Sequence, residues 1–293
     1  GDPNDIKLKY TGADKIEVLS TKYKVISSIG EIIEQMPKVY QNINGKIIDI
    51  KTEYKLEETT VSFHLNTQYS LLNTVIIDPW ITYYGGSNQD ISTGIDVDGN
   101  GNTVITGSTM SINFPVTPGA SQLAYSGGTG ADALVVKFDA GGNRLWATYY
   151  GGSNIDKGNG ITVDNSNNVI ITGNTYSNNF PVSTGAFQTS NNGVINPFVV
   201  MFDPLGNRQW ATCFGGNKDD YSNDITSDNA GNITITGYAR SGNFPVTGGA
   251  FQGTLGQTGA ADGDAFVAQF DLNGNVLWAT FCGGMWDDWG SAV

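Results

Sequence analysis

Aspartate is the residue type whose spacing in this chain suggests chemistry. Asp90, Asp156, Asp220 and Asp288 each stand a few residues beyond a Gly-Gly pair. Carboxylates repeated in this way can ring a channel mouth and hold a cation, or face a ligand. The same position has a plainer use, since an aspartate in a tight loop caps the backbone N–H groups of that loop. Every copy has the same turn to make, so the cap is the expected role. A second acidic stretch, DVDGNGN at 96–102, sets Asp96, Asp98 and Asn100 at alternate positions, as in the first half of a calcium loop. Such a loop needs a bidentate carboxylate at its last position, which here is Gly107. The matching stretches TVDNSNN (162–168) and TSDNAGN (226–232) begin with threonine. All three keep a chain reversal, so a hairpin is expected there. No cofactor is implied, and calcium at Asp96, Asp98 and Asn100 is the metal reading to be weighed.

Two aromatic series recur as well. Phe114, Phe180 and Phe244 each precede a proline, and Trp146, Trp210 and Trp278 sit in RLWAT, RQWAT and VLWAT. The phenylalanines offer a ligand-stacking platform or, as packing predicts, plugs between structural units. The tryptophans read as packing residues whose indole N–H bonds locally. His64, the single histidine, lies on a strand pattern with no cysteine or second histidine near it. A Ser-His-Asp triad or histidine-bound zinc is therefore excluded from everything that follows it. A glycosidase needs two carboxylates, but no pair stands out against the repeated background.

These residues are positioned by a repeat. YYGGSNQD at 83–90 returns as YYGGSNID at 149–156, CFGGNKDD at 213–220 and FCGGMWDD at 281–288. The Gly-Gly pairs are 66, 64 and 68 residues apart, and self-similarity of that length means stacked supersecondary units. Each unit holds four short apolar runs, in the first copy GIDV (94–97), NTVITGS (102–108), ALVVKFD (133–139) and RLWATYY (144–150). DGNG joins the first two and AGGN the last two, as hairpin turns require. Four antiparallel strands that are apolar on both faces make a propeller blade. Both hairpins then lie on one side of the ring, and the long NFPV loops and GG links lie on the other. Long loops carry binding when a propeller has it. WITYYGG (80–86) reads as a fourth strand that completes another blade, and DDWGSAV reads as the start of a fourth blade. An uncovered blade face of roughly 500 Å² forfeits on the order of 12 kcal/mol of burial. The remaining propeller blades or partner chains are therefore expected to cover the open faces.

GGSNQDISTGIDVDGNGNTVITGSTMSINFPVTPGA, followed by DALVVKFDAGGNRLWATYYGG, resembles the SBBP repeat, the seven-bladed β-propeller repeat of bacterial secreted and surface proteins. The first 79 residues resemble the β-rich domain that commonly precedes those repeats. Asn196-Pro197 departs from the usual Asp-Ala, and bulky aromatics fill the YYGG positions. The resemblance implies the fold and an extracellular or cell-surface setting, and it implies no established activity.

Composition agrees with an all-β reading: 39 glycines among 293 residues, 15% charged and 39% hydrophobic. A net charge of −13 repels phosphate backbones, and no basic stripe offsets it, which speaks against nucleic acid. No run is long enough for a membrane span. The chain shows no signal peptide and reads as a mature protein or a fragment. All glutamates lie before residue 79, as do nine of the fifteen basic residues. A boundary near 79 therefore separates a small β-sheet domain (1–79), with a hairpin at Asn44-Gly45, from the blades (80–293). Cys213 and Cys282 are one residue out of step between repeats, so strand alternation points them apart, and two buried free thiols are expected. The expected function is a non-enzymatic adhesion, scaffold or ligand-display module of a larger surface protein, with protein or glycan partners. The alternative is a glycan-processing or glycan-binding propeller with its site on the long-loop face.

Overall fold

The computed structural model describes residues 83–256 and 262–293 continuously, and nine strands with Asp14 and Glu58 before them. Contacts divide the chain into two compact units, Gly1–Thr82 and Tyr83–Val293.

The first unit is built of β1 (Lys7–Lys9), β2 (Lys15–Leu19), β3 (Lys22–Ser27), β4 (Gly30–Gln35), β5 (Lys38–Ile43), β6 (Lys46–Asp49), β7 (Thr52–Glu57), β8 (Thr60–Leu65) and β9 (Val75–Asp78). They form three three-stranded sheets, ordered β1-β8-β7, β2-β3-β4 and β6-β5-β9. The expected hairpin around Asn44-Gly45 joins β5 to β6, with Ile43 opposite Lys46; the two turn residues themselves lie outside the described residues. His64 is in β8 opposite Glu53.

The second unit is three blades. Blade one is β10 (Asp90–Val97), β11 (Thr103–Thr109), β12 (Asp132–Phe138) and β13 (Arg144–Tyr150). Blade two is β14 (Asp156–Val163), β15 (Val169–Thr175), β16 (Asn196–Phe202) and β17 (Arg208–Cys213). Blade three is β18 (Asp220–Ser227), β19 (Ile233–Ala239), β20 (Asp264–Phe270) and β21 (Val276–Cys282). Each is a four-stranded antiparallel meander in sequence order, and the first strands stand side by side, β10 by β14 and β14 by β18.

The core lies in the seams between blades. Val135, Trp146 and Tyr150 of blade one pack with Ile161, Ile171 and Val200 of blade two. On the opposite face of blade two, Ile170, Val199 and Met201 pack with Ile225, Ile235 and Phe266 of blade three. Strand alternation thus sends apolar side chains into both seams, which is why the blade strands lack a polar face. Each first strand also carries a bulge, at the register shifts Ser92/Gly94, Gly158/Gly160 and Ser222/Asp224. A bulge frees one residue from the ladder and re-aims it. Here the freed side chain crosses the seam: Thr93 Oγ1 donates to Gly158 O, Asn159 Nδ2 to Ser222 O and Asn223 Nδ2 to Gly290 O, each at 2.7 Å.

Two local expectations differ from the structure. Tyr83–Gly86 is not a strand, and residues 80–82 lie outside the described residues. Tyr84 instead packs edge-on against Phe114 and Phe138, its hydroxyl donating to Pro115 O. Cys213 is buried, but Cys282, the last residue of β21, is exposed.

Candidate functional site

Six hairpins share one device. Asp98, Asp139, Asp164, Asp203, Asp228 and Asp271 each begin a five-residue turn that ends in asparagine. In the first, Asp98 Oδ1 accepts the N–H groups of Asn100 and Asn102, and Oδ2 accepts Asn102 Nδ2, all at 2.9 Å. The fourth residue takes the left-handed conformation, with φ of +79° at Gly101 and +62° at Asn167. Glycine does this without steric cost and asparagine tolerates it, which explains the D-x-x-[GN]-N pattern.

This turn decides where the calcium candidates point. Asp98 Oδ2 also meets Lys137 Nζ at 2.8 Å, with both side chains buried. Burial alone would raise the Asp98 pKa, but Lys137, the Asn102 amide and the turn N–H groups outweigh it and hold the carboxyl at about 2. Asp96 faces elsewhere: Oδ2 accepts Val163 N across the seam at 2.8 Å and Oδ1 accepts Val97 N at 2.7 Å. Asn100 contributes its backbone N–H to the turn. The structure therefore does not bring Asp96, Asp98 and Asn100 together as one set of ligands.

The recurring aspartates that follow the Gly-Gly pairs cap their own GG loops. Gly86, Gly152, Gly216 and Gly284 donate N–H to Oδ2 of Asp90, Asp156, Asp220 and Asp288, each at 2.7 Å. Ser111, Ser177 and Ser241 add their hydroxyls to the first three. Asp156 and Asp220 are fully buried, so these carboxylates do not line an open mouth. Phe114, Phe180 and Phe244 are buried too. Phe180 stacks on Phe198 at 4.6 Å and Phe244 lies 5.1 Å from Phe214. The ligand-face set read from sequence is thus internal to the blades, apart from the half-buried Asp90 and Asp288.

A glutamine in each long loop, Gln122, Gln188 and Gln252, completes the GG loop from the other side. Its Oε1 accepts the first glycine N–H, of Gly151, Gly215 or Gly283. Its Nε2 donates to the residue that opens the third strand: Asp132 Oδ2 at 3.0 Å, Asn196 Oδ1 at 3.2 Å and Asp264 Oδ2 at 2.6 Å. The signal for this residue was present as GASQ and two copies of GAFQ. The network also creates the carboxylate pair that the sequence did not single out. A Cβ placed on Gly151 would lie 2.7 Å from Asp132 Oδ1 and 2.7 Å from Asp156 Oδ2, so these oxygens are separated by no more than twice that distance. Both residues are 0% exposed, which closes the pair to any substrate.

The surface departs from repeat symmetry in blade three. One cross-strand position reads Ile91/Ser108, then Lys157/Asn174, then Tyr221/Tyr238. Trp289 stacks on Tyr238 with ring centres 4.1 Å apart and planes 3° from parallel, and Tyr221 lies 6.4 Å from the indole. Tyr238 Oη donates to Asp287 Oδ1 at 2.5 Å, and Arg240 pairs with Asp219 at 3.7 Å. Burial, then the Asp287 carboxylate, push the Tyr238 phenol upward. Trp289 and Trp286 are 56% and 72% exposed. The cluster sits on the long-loop side, with aromatic faces beside carboxylates and a guanidinium. Tyr238 is itself buried beneath Trp289, so the exposed aromatic face of the cluster is that of Trp289.

Comparison with known proteins supports the architecture. Residues 1–80 match the family model described as a domain of unknown function, DUF7948. Residues 80–115 and 145–181 match the SBBP β-propeller repeat. The uncharacterized WD repeat-containing protein L264 of Acanthamoeba polyphaga mimivirus is 28% identical over 176 residues, which is 52% of this chain and 12% of that protein. The chain thus spans only a small part of that relative's length. Among solved structures, a gluconolactonase from Xanthomonas campestris aligns over 91% of this chain and 71% of its own, at 11% identity and a TM-score of 0.35. A putative gluconolactonase aligns over 92% and 73%, at 13% identity and a TM-score of 0.32. Likeness at that level carries no information about activity.

Proposed function

With SBBP β-propeller repeats behind a DUF7948 domain as its architecture, we propose that this chain is a non-enzymatic display or adhesion module of a secreted or cell-surface bacterial protein. One observation carries the reading: the polar side chains that recur in every blade are occupied in turns and seams. Asp, Asn, Gln and Ser each meet backbone groups of their own blade or the next. Such a frame leaves the exposed loop surface free to vary in its ligand.

The module offers two uncovered faces to further blades. Ile95 is 69% exposed where Ile161 and Ile225 are 7% and 4%. Trp278 is 40% exposed where Trp146 and Trp210 are 6% and 8%. In the seams each indole donates to the next blade, Trp146 to Pro204 O at 3.0 Å and Trp210 to Leu272 O at 2.9 Å. Trp278 bonds within its own blade, to Gln269 Oε1. A neighbouring blade with the same D-x-x-G-N hairpin fits that face. Sedimentation of this chain should show concentration-dependent association that Ile95→Lys weakens; a compact monomer at all concentrations would sink this part of the reading.

A second reading, glycan binding on the long-loop face, is favoured by the Tyr221, Tyr238 and Trp289 cluster. A glycan array combined with a hydrolysis screen separates the cases. Binding without turnover that Trp289→Ala abolishes supports a glycan-display module, and turnover of any polysaccharide overturns the non-enzymatic assignment.

A further inference from the structure

The first residue of each third strand is Asp132, Asn196 or Asp264, and the asparagine shows what that position needs. Asn196 Oδ1 accepts the N–H groups of Asn192 and Gly193 at 2.7 and 3.3 Å, together with Gln188 Nε2. Two backbone donors on one atom fix which end of the amide is oxygen. The other end, Nδ2, donates to Ile195 O at 2.9 Å and to Gly216 O at 3.2 Å. The seam therefore presents carbonyl oxygens to that atom and requires a donor.

At the preceding seam Asp132 takes the same pose. Its Oδ2 accepts Ser126 N at 2.7 Å and Gln122 Nε2 at 3.0 Å, as Asn196 Oδ1 does. Its Oδ1 lies over Gly151 as Asn196 Nδ2 lies over Gly215. That oxygen is buried and has no hydrogen-bond partner. The carbonyls in register with those of Ile195 and Gly216 belong to Ala131 and Gly152. An ionised carboxylate only accepts, whereas a protonated one carries an O–H donor. A bare carboxylate facing carbonyls, with Asp156 beside it, is a repulsive arrangement without an offsetting bond.

We infer that Asp132 is protonated on Oδ1 in the folded protein and donates into the seam, and that loss of this proton loosens blade one from blade two. Asn196 is the permanently neutral form of the same device at the next seam. The titratable groups facing the pair are Tyr125 and Tyr149 on the Asp132 side and Cys213 on the Asp156 side. None of them is a cation that would hold Asp132 ionised. Burial first, and then the Asp156 charge, raise Asp132 to about 7 against the pull of the Ser126 and Gln122 bonds. Burial raises Asp156 to about 6 against Thr175, Gly152 and Ser177. Raised acids stabilise the fold below their unfolded pKa, and that contribution is lost as pH climbs through the folded values. The window is therefore about pH 4 to 7.

The test is thermal unfolding of the whole chain between pH 5 and pH 8, joined to difference infrared spectra. Wild type should lose Tm as pH rises and show a protonated carboxyl stretch at pH 6. Asp132→Asn should remove the part of that band that titrates near pH 7, leaving the Asp156 part, and cut the loss of Tm to less than half. Asn196→Asp should add a second pH-dependent loss, and folding that fails at pH 8 should return at pH 5. An unchanged slope in Asp132→Asn, or no protonated carboxyl in wild type, would overturn the proposal.

Discussion

The indole of Trp146 lies directly against Gly206 of the next blade, so that a Cβ on that glycine would sit 2.7 Å from the ring. Gly206 also holds φ at +87°. Gly101 has a similar φ, +79°, in the matching turn type, but a Cβ there meets nothing within 4 Å. Gly101→Ala should therefore cost about 1 kcal/mol, for the left-handed backbone alone. Gly206→Ala should cost roughly 2–4 kcal/mol, because overpacking adds to the backbone term. Urea unfolding monitored in the second unit checks the difference, and equal costs would contradict this account of the seam.

Tyr150 and Arg208 form a coupled pair. Arg208 Nη1 donates to Tyr150 Oη and to Pro181 O, each at 3.1 Å, and Tyr150 Oη donates to Pro181 O. Tyr84, Arg144 and Pro115 repeat the arrangement. Blade three has Phe214 and Val276 at the corresponding positions, so both polar members change together. In a double-mutant cycle, Tyr150→Phe and Arg208→Val should each destabilise. The double variant should recover about 1 kcal/mol of coupling, and strict additivity would show the two to be independent.

Asp98 and Lys137 should respond unequally to substitution. Asp98→Ala strips the turn of its acceptor and leaves the Lys137 ammonium buried, which should cost about 3–5 kcal/mol. Lys137→Met leaves Asp98 with its turn N–H donors, as Asp164 has beside Met201, and should cost no more than about 1 kcal/mol. Equilibrium unfolding of the two variants tests the asymmetry.

The acid limb of stability follows from the same turns. Asp98 titrates at about 2 in the fold. At Asp203 and Asp271 burial pulls upward, but the bonds from Asn207 and Asn275 outweigh it; at Asp139 and Asp228 the bonds from Asn143 and Asn232 lead. Depressed acids stabilise above the unfolded value, and that contribution disappears as pH falls through the folded one. Urea midpoints should therefore drop between pH 4 and pH 2, and Asp98→Ala should flatten the drop.

The two thiols should differ in reactivity. Cys213 is buried, and burial followed by the Asp156 charge pushes its thiol up to about 12. Cys282 is exposed. Since the thiolate is the reactive form, iodoacetamide should label one site per native chain, at Cys282, and both sites in urea. Labelling of native Cys213 would show that the seam between blades one and two opens.

Blade order, hairpins and the packing of Trp146 and Trp210 were legible because each rests on local spacing. The indole N–H groups of those two tryptophans, however, bond across the seam rather than locally, and Trp278 is exposed. DVDGNGN was readable as a turn from its copies. Its kinship with Asp139–Asn143, Asp203–Asn207 and Asp271–Asn275 was hidden by the variable middle residues, although Asp and Asn four apart mark all six. The departure at Asn196 was visible, but its meaning was not. That meaning depends on which atom faces Gly215 and on carbonyls brought there from another strand. The stacking of Trp289 on Tyr238 joins residues 51 apart in sequence, and no periodicity announces such a contact.

The bulge residues Thr93, Asn159 and Asn223 all reach forward, bonding Gly158, Ser222 and Gly290 of the following repeat. Trp146 and Trp210 also reach forward, to Pro204 and Leu272 in the last hairpin of the following repeat. Every such tie runs from one copy to its successor, and none skips a copy. A gene duplication that inserts or removes a whole repeat therefore preserves every tie, and so do length changes confined to the long loops, as the 66-, 64- and 68-residue spacings show. Copy number and long-loop length can both change, while the register of the tying residues within each blade cannot.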